Sequence, residues 1–213
     1  MGKYSHIVWD WNGTLLDDTD VCVDVMNGML ARRGLPGITP EFYQTVIEFP
    51  VVHYYVKLGF DFSVEPFEAI SDEFVAGYQA RWRTCGLQRG ALDCMDALAR
   101  AGVALSVLSA SKTGHLLEQL EHFDVRRRLS AVTGADDHHG RGKIDLAQGH
   151  VGAVGADPAK VLFIGDTQHD AEVAERAGAD CLLVSYGHYS RMRLEHLGLP
   201  VVGNMGEVLE YIL

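Results

Sequence analysis

Short apolar runs, each bounded by polar residues or glycine, recur along the chain and predict β-strands. The first is His6–Trp9, which stops at Asp10, and four more lie at 104–108, 130–133, 161–164 and 181–184. Helical spacing of apolar residues separates them, at 92–101, 114–123 and 171–177. Strands that alternate with helices in this way predict an α/β fold, with a doubly wound, parallel, Rossmann-like sheet.

The segment from residue 19 to about 83 has a different pattern, with helical spacing and no convincing strand. Val21, Val25 and Met29 share one helical face, and Gly34 ends that helix. Proline at residue 40 suits the first turn of a second helix, and further helices are predicted at 50–58 and 66–82. We therefore predict a Rossmann-like core of residues 1–18 and 84–213, interrupted by an all-helical cap domain of residues 19–83.

Composition and charge restrict the classes of function. The net charge of −11 leaves Arg126–Arg128 as the one basic run, which argues against nucleic-acid binding. The four cysteines show no Cys-x-x-Cys spacing, which is typical of a reducing compartment. The chain passes into its first strand without a leader-like segment, and no apolar stretch reaches the length of a membrane span. We expect a cytoplasmic protein without a membrane partner, as a monomer or weak homodimer.

Acidic residues follow two of the predicted strands. Asp10 follows the first strand, whereas Asp166 and Asp170 follow the strand at 161–164. Open parallel sheets bind ligands at the carboxyl ends of their strands, so these carboxylates can converge on one cation. Oxygen ligands of this kind suit Mg²⁺, which binds one or two carboxylates together with a substrate phosphate.

These acidic segments belong to a series of four that occurs in a fixed order. The series is DWNGT at 10–14, Ser109, Lys143 after the glycine-rich GRG, and GDTQHD at 165–170. It resembles the haloacid dehalogenase-like superfamily, whose phosphatases carry D-x-D-x-T, Ser or Thr, Lys and G-D-x-x-x-D. The resemblance spans nearly the whole chain. The helical insertion resembles the cap of the phosphoglycolate phosphatase-like and β-phosphoglucomutase-like members.

The resemblance implies a Mg²⁺-dependent phosphatase for a small phosphorylated metabolite, with phosphoglycolate as the first candidate. Asp10 would be the nucleophile and form an aspartyl-phosphate, while Thr14 would orient the motif loop. Ser109 and Lys143 would hold the phosphoryl oxygens, with Ala110 beside them at the substrate. The implied metal ligands are Asp10, the backbone carbonyl of Asn12, Asp166 and Asp170.

Asn12 departs from the family pattern, because the family carries an aspartate there as its general acid and base. An amide cannot deliver a proton at neutral pH, and general acid–base catalysis is worth about 10²–10⁴ in rate. Three explanations remain open: a good leaving group such as an acyl phosphate, a proton from Glu48 on the cap, or slow turnover with binding as the role. We expect Asn12→Asp to raise kcat on alkyl phosphates more than tenfold.

Substrate selection is assigned to the cap, where Glu48, Phe49 and His53 are the candidate residues. Two other functions stay open. One is C–P bond cleavage, as in the related phosphonoacetaldehyde hydrolases, with Lys57 as the Schiff-base lysine because it is the only lysine of the insertion. The other is a low-activity module that binds Mg²⁺ and phosphate.

Overall fold

A six-stranded parallel sheet forms the centre of the computed structural model, which describes residues 2–135 and 142–213. Its strands are β1 (His6–Trp9), β4 (Ala104–Lys112), β5 (Ala131–Ala135), β6 (Val161–Gly165), β7 (Asp180–Val184) and β8 (Val201–Val202). The spatial order is β5-β4-β1-β6-β7-β8. Counted among these six strands alone, it is the 3-2-1-4-5-6 order of doubly wound folds, so the predicted fold class is confirmed.

Helices cover both faces of this sheet. They are α5 (Ala91–Arg100), α6 (Thr113–His122), α7 (Lys143–Ala153), α8 (Gln168–Ala177), α9 (Arg191–Glu195) and α10 (Met205–Ile212). The helices α7, α9 and α10 and the strand β8 are additions to the sequence prediction, and β4 runs four residues beyond the predicted 104–108. Along β1, Ile7 and Trp9 join one apolar cluster and Val8 joins the other, as expected for a strand buried on both faces.

The inserted segment is helical, as the sequence predicts. It contains α1 (Thr19–Arg32), α2 (Pro40–Val46), α3 (Val51–Lys57) and α4 (Phe67–Gln79). The two ends of the insertion are held side by side by a short antiparallel pair of strands, β2 (Leu16–Asp17) and β3 (Gly86–Leu87). The domain limits at residues 18 and 84 stay a prediction.

The apolar cluster on the Val8 side continues from the sheet into the cap, where it includes Met29 and Tyr54. The cap is thereby packed above the carboxyl edge of the sheet by continuous apolar contact. Among the described helices, none has both the length and the apolar character needed to cross a membrane.

Candidate active site

Asp10 is the first residue after β1. Its backbone N–H donates to the carbonyl of Ile164 on the neighbouring strand at 2.8 Å. This bond fixes Asp10 at the carboxyl edge of the sheet, beside the end of β6. The Asp10 side chain is 13% exposed, so it is sheltered but still reachable by a ligand.

Lys143 is the buried cation of the site. It is the first residue of α7, and its Nζ donates to Oδ1 of Asp10 and to Oδ1 of Asp170, both at 2.5 Å. Although burial alone lowers its pKa, these two carboxylates raise the pKa of Lys143 above the usual range. The preceding Gly140 and Arg141 lie outside the described residues.

Asp166 and Asp170 follow β6 and are fixed in different ways. Asp166 accepts hydrogen bonds from the Thr14 hydroxyl at 3.0 Å and from the His188 backbone N–H at 2.5 Å. Asp170 stands in the first turn of α8, where its Oδ2 accepts from the backbone N–H and the hydroxyl of Thr167 in a capping box. Asp170 therefore caps the helix with one oxygen and faces Lys143 with the other.

The acidic cluster, which we define as Asp10, Lys143, Asp166 and Asp170, has too little positive charge. Its three carboxylates offer oxygens that lie within 4.8 Å of one another. When all are ionised, one ammonium leaves two negative charges uncompensated. Burial, with help from neighbouring carboxylates, raises the pKa of Asp10 to about 7 and that of Asp166 to about 6. An all-oxygen donor set with this charge deficit fits a divalent cation such as Mg²⁺.

Gly13 is required by the closeness of the two acidic segments. Its φ is +72°, and a Cβ at this position would lie 2.3 Å from Oδ2 of Asp166. Glycine adopts the left-handed conformation without strain and adds no atom to the contact. The loop from Asp10 to Thr14 can thus fold back against Asp166.

Ser109 and Ala110 lie near the end of β4, on the next strand. Ser109 is buried, and its Oγ accepts a hydrogen bond from the backbone N–H of Ser111 at 3.1 Å. Ala110 is exposed. The sequence prediction missed Ser111, whose hydroxyl donates to Oδ1 of Asn12 at 2.9 Å. No local pattern marked it, because the predicted strand ends at 108 and the observed strand is irregular between Leu108 and Lys112.

Asn12 lies in a second polar group, which we name the Asp18 cluster and define as Asn12, Asp18, Tyr43, Tyr78, Ser111 and His188; Asn12 and Ser111 are half-buried and the other four are buried. The Asn12 amide donates to Oδ2 of Asp18 at 2.7 Å and to the Tyr78 hydroxyl at 2.8 Å. The Tyr78 hydroxyl in turn donates to Oδ2 of Asp18 at 2.7 Å. Sequence reasoning missed Asp18 and Tyr78, since nothing local marks either residue as a neighbour of Asn12.

His188 completes the Asp18 cluster from the loop after β7. Its Nε2 lies 3.4 Å from Oδ1 of Asp18, and its Nδ1 lies 3.0 Å from the Tyr43 hydroxyl. Burial lowers the pKa of His188, but its hydrogen bond and charge interaction with Asp18 outweigh burial and raise the pKa to about 9. A protonated His188 therefore faces an ionised Asp18 near neutral pH.

The candidate selectors on the cap are separate from these clusters. Glu48 forms a 2.8 Å ion pair with Lys57, and the hydrogen bond from Lys57 lowers the pKa of Glu48, which opposes a role as proton donor. The Phe49 ring is 46% exposed and lies 6.0 Å from the His169 ring, next to the Asp166 loop. His53 is exposed on α3. The assignment of these three residues to substrate stays a prediction.

Comparison with known proteins finds one family model, described as haloacid dehalogenase-like hydrolase, that matches residues 7–184. The tyrosine-protein kinase PtkA of Mycobacterium tuberculosis is 26% identical over 184 residues, which are 85% of this chain and 62% of PtkA. The chain thus spans about three fifths of that relative's length. The phosphoglycolate phosphatase of Caulobacter vibrioides is 27% identical over 206 residues, 92% of this chain and 85% of the relative.

Solved structures agree with the fold. A haloacid dehalogenase-like family hydrolase from Streptococcus pneumoniae superposes with a TM-score of 0.84 at 17% identity, with 98% of each chain covered. At this identity the match speaks for the fold alone. Because 98% of this chain is covered, the match extends over the inserted helices as well as the core.

Proposed function

Because the chain belongs to the haloacid dehalogenase-like hydrolase family, we propose that it is a Mg²⁺-dependent phosphatase for a small phosphorylated metabolite. The observation that supports this proposal best is the acidic cluster, where three carboxylates and one buried lysine meet at the carboxyl edge of the sheet. Phosphoglycolate is the first candidate substrate, since a relative of that specificity matches 92% of the chain.

In this proposal, Asp10, Asp166, Asp170 and the backbone carbonyl of Asn12 would hold Mg²⁺. When bound, the ion supplies the positive charge that lets a phosphate dianion approach a carboxylate. Asp10 attacks the phosphorus through a carboxylate oxygen, the bond to the leaving oxygen breaks, and an aspartyl-phosphate forms. Lys143 orients Asp10 and favours its ionised form during this step, against the burial that raises the pKa of Asp10.

Proton transfer is the weak step of this site. The departing oxygen needs a proton, and the water that attacks the aspartyl-phosphate must lose one. Asn12 can do neither, and Glu48 is held ionised by Lys57. The site therefore favours a leaving group that departs as a stable anion, such as the carboxylate of an acyl phosphate.

A leaving-group series tests the function directly. We expect a Mg²⁺-dependent kcat/KM that falls from acetyl phosphate through 4-nitrophenyl phosphate to phosphoglycolate and other alkyl esters, because kcat/KM reports the attack of Asp10, whereas hydrolysis of the aspartyl-phosphate is common to all of them. Rapid quench and mass spectrometry should find one phosphoryl group on Asp10, and Asp10→Asn should lose turnover by about 10⁴-fold or more. Consumption of substrate without a phosphorylated Asp10, or undiminished activity of Asp10→Asn, would contradict the mechanism.

A second candidate is transfer of the phosphoryl group from Asp10 to a tyrosine hydroxyl. It is favoured by the similarity to PtkA. It is also favoured by Asn12, because a site without a general base at this position needs an acceptor that loses its proton readily. A phenol loses its proton far more readily than water, with a pKa near 10 against 15.7. Transfer of label from γ-labelled ATP to a tyrosine peptide, without matching release of inorganic phosphate, would favour this candidate.

The two alternatives raised by the sequence have less support. Lys57 is 48% exposed and ion-paired with Glu48, whereas an amine nucleophile needs desolvation or a neighbouring cation to lose its proton. Borohydride trapping with phosphonoacetaldehyde tests C–P cleavage at Lys57. A pure binding module is favoured only if the whole phosphate series binds without turnover.

A further inference from the structure

We propose that Asp18 and Tyr78 are positioning residues that require an amide at position 12 and hold it in place, so that Asn12 and Asp18 form a matched pair. This proposal rests on the proposed function and explains why the acid–base residue of the reaction is an asparagine. It also changes the expected effect of restoring an aspartate there.

Asp18 is fully buried, and its two oxygens have different partners. Oδ1 accepts from the Gly13 backbone N–H at 2.9 Å and faces Nε2 of His188 at 3.4 Å. Oδ2 accepts from the Asn12 amide and from the Tyr78 hydroxyl, each at 2.7 Å. The side of Asp18 that faces position 12 can therefore meet only hydrogen-bond donors there.

The side chain of Asn12 has its hydrogen-bonding groups engaged. Its nitrogen donates to Asp18 and to Tyr78, and its oxygen accepts from the Ser111 hydroxyl. Tyr78 belongs to cap helix α4, whereas Ser111 belongs to the sheet. Asn12 thus connects the cap to the core through hydrogen bonds.

An aspartate at position 12 conflicts with this arrangement. A carboxylate oxygen in place of the amide nitrogen would lie 2.7 Å from Oδ2 of Asp18. Two carboxylates at that distance, one fully buried at 18 and one half-buried at 12, repel unless one of them takes up a proton or moves away. The sequence-based expectation for Asn12→Asp alone is therefore revised: the single change disturbs the Asp18 cluster before any new acid can act.

Exchanging the two residues removes the conflict. With Asn12→Asp and Asp18→Asn together, the new amide at 18 can direct its oxygen to Gly13 N–H and His188 and its nitrogen to the carboxylate at 12. Tyr78 then accepts from residue 18 and donates to residue 12, the reverse of its present bonds. Each hydrogen bond among Asn12, Gly13, Asp18, Tyr78 and His188 keeps one donor and one acceptor, and the cluster keeps its net charge.

A double-mutant cycle measures this pairing. The variants are Asn12→Asp, Asp18→Asn and the exchanged double variant, each assayed for Tm without substrate and for kcat and KM on an alkyl and an aryl phosphate. We expect Asn12→Asp to lower Tm by several degrees without a tenfold gain in kcat. The exchanged variant should recover most of the Tm and exceed the parent protein at least tenfold in kcat on the alkyl ester, with a smaller gain on the aryl ester.

Asn12→Asp combined with Asp20→Asn is the matched control. It has the same composition as the exchanged variant, but Asp20 is an exposed residue in the first turn of α1. This control should not recover the Tm. Equal recovery by the control, or an exchanged variant no more stable than Asn12→Asp, overturns the proposal.

The Tm cycle needs no turnover, so the two proposals can fail separately. A recovered Tm with no hydrolysis of any phosphate by any variant would reject the phosphatase and leave the pairing intact. An additive Tm cycle in a protein that hydrolyses phosphates would reject the pairing and leave the function intact. The exchanged variant could also recover its Tm but gain no more in kcat on the alkyl ester than on the aryl ester. That result would show that residue 12 is structural only, and would overturn its link to proton transfer.

Discussion

The acidic cluster and the Asp18 cluster are adjacent, but they differ in charge balance and in how fully their polar groups are paired. The first holds three carboxylates against one ammonium. The second pairs the single carboxylate of Asp18 with a protonated His188 and gives its polar groups hydrogen-bond partners within the protein. A site that lacks positive charge is suited to bind a cation and, with it, a phosphate. A site with balanced charge and paired polar groups is suited to keep its side chains in fixed positions.

Asp166 joins the two clusters. It contributes a carboxylate to the acidic cluster and accepts the backbone N–H of His188, which belongs to the other. Tyr43 on α2 contacts the same imidazole, so cap helix α2, the loop of His188 and Asp166 are linked by direct contacts.

Among the variants proposed for the two clusters, we expect the loss of Lys143 to have the largest effect on stability, and to act on the acidic cluster alone. Lys143→Met leaves three buried carboxylates without their one cation, and losing one partner of a buried pair costs about 3–5 kcal/mol. Without Mg²⁺, we expect a large fall in Tm. Added Mg²⁺ should raise the Tm of this variant more than that of the parent protein.

Lys3→Met is the control for that experiment, because Lys3 also pairs with a carboxylate, Asp180, but is 65% exposed. Exposed pairs contribute about 0–1 kcal/mol, so its Tm should stay near that of the parent. A Lys143→Met variant whose Tm is no lower than that of Lys3→Met would show that the acidic cluster does not depend on its lysine.

The next largest effect is expected in the pH dependence of stability, because the two clusters should change stability in different pH ranges. The pKa values of Asp10 and Asp166 are raised, to about 7 and about 6, so the folded state holds protons that the unfolded state has lost. Their burial therefore costs stability increasingly as pH rises from about 4 to 7. The raised pKa of His188 acts at higher pH: its stabilisation is complete below about 6.5 and is lost as pH rises through about 9.

Denaturant titrations at about pH 5, 7.5 and 9.5, with and without Mg²⁺, check this pH dependence. Relative to the parent, Asp10→Asn should lose part of the fall between pH 5 and 7.5, and Mg²⁺ should oppose the same fall. His188→Gln should instead lose part of the fall between pH 7.5 and 9.5. Identical pH profiles of both variants and the parent would contradict the assignment of charges to the two clusters.

The smallest expected effect concerns the hydroxyl of Tyr78. Tyr78→Phe removes one donor to Asp18 and one acceptor from Asn12, at a cost of about 1–3 kcal/mol for buried groups left unpaired. Chemical denaturation should detect this loss. Tyr211→Phe, on a ring that is 40% exposed, is the control and should change the free energy of unfolding little. If the two variants have the same free energy of unfolding, the Tyr78 hydroxyl does not stabilise the Asp18 cluster.

Much of the acidic cluster could be predicted from the sequence, because its members follow strand ends. Asp10 comes directly after β1, Asp166 comes directly after β6, and parallel neighbouring strands bring their carboxyl ends together. Lys143 was found through the family resemblance rather than through local pattern. Its place in α7 was missed because apolar and polar residues are mixed around that helix.

The Asp18 cluster could not be predicted in the same way. Tyr78 contacts Asn12 across 66 positions of the chain, and Tyr43 contacts His188 across 145. Each of these side chains has an ordinary local explanation, as a helix residue or a loop residue. Only the packing of the cap onto the core makes them neighbours.

The sequence by itself determined the sheet, the helical insertion and the acidic edge, because hydrophobic periodicity and strand termini are local properties of the chain. The tertiary structure alone decided what surrounds Asn12, because a half-buried amide takes its partners from wherever the packing of the cap onto the core places donors and acceptors. Asparagine at position 12 is a departure from the motif in the sequence, whereas in the folded protein it is the hydrogen-bond donor that Asp18 requires.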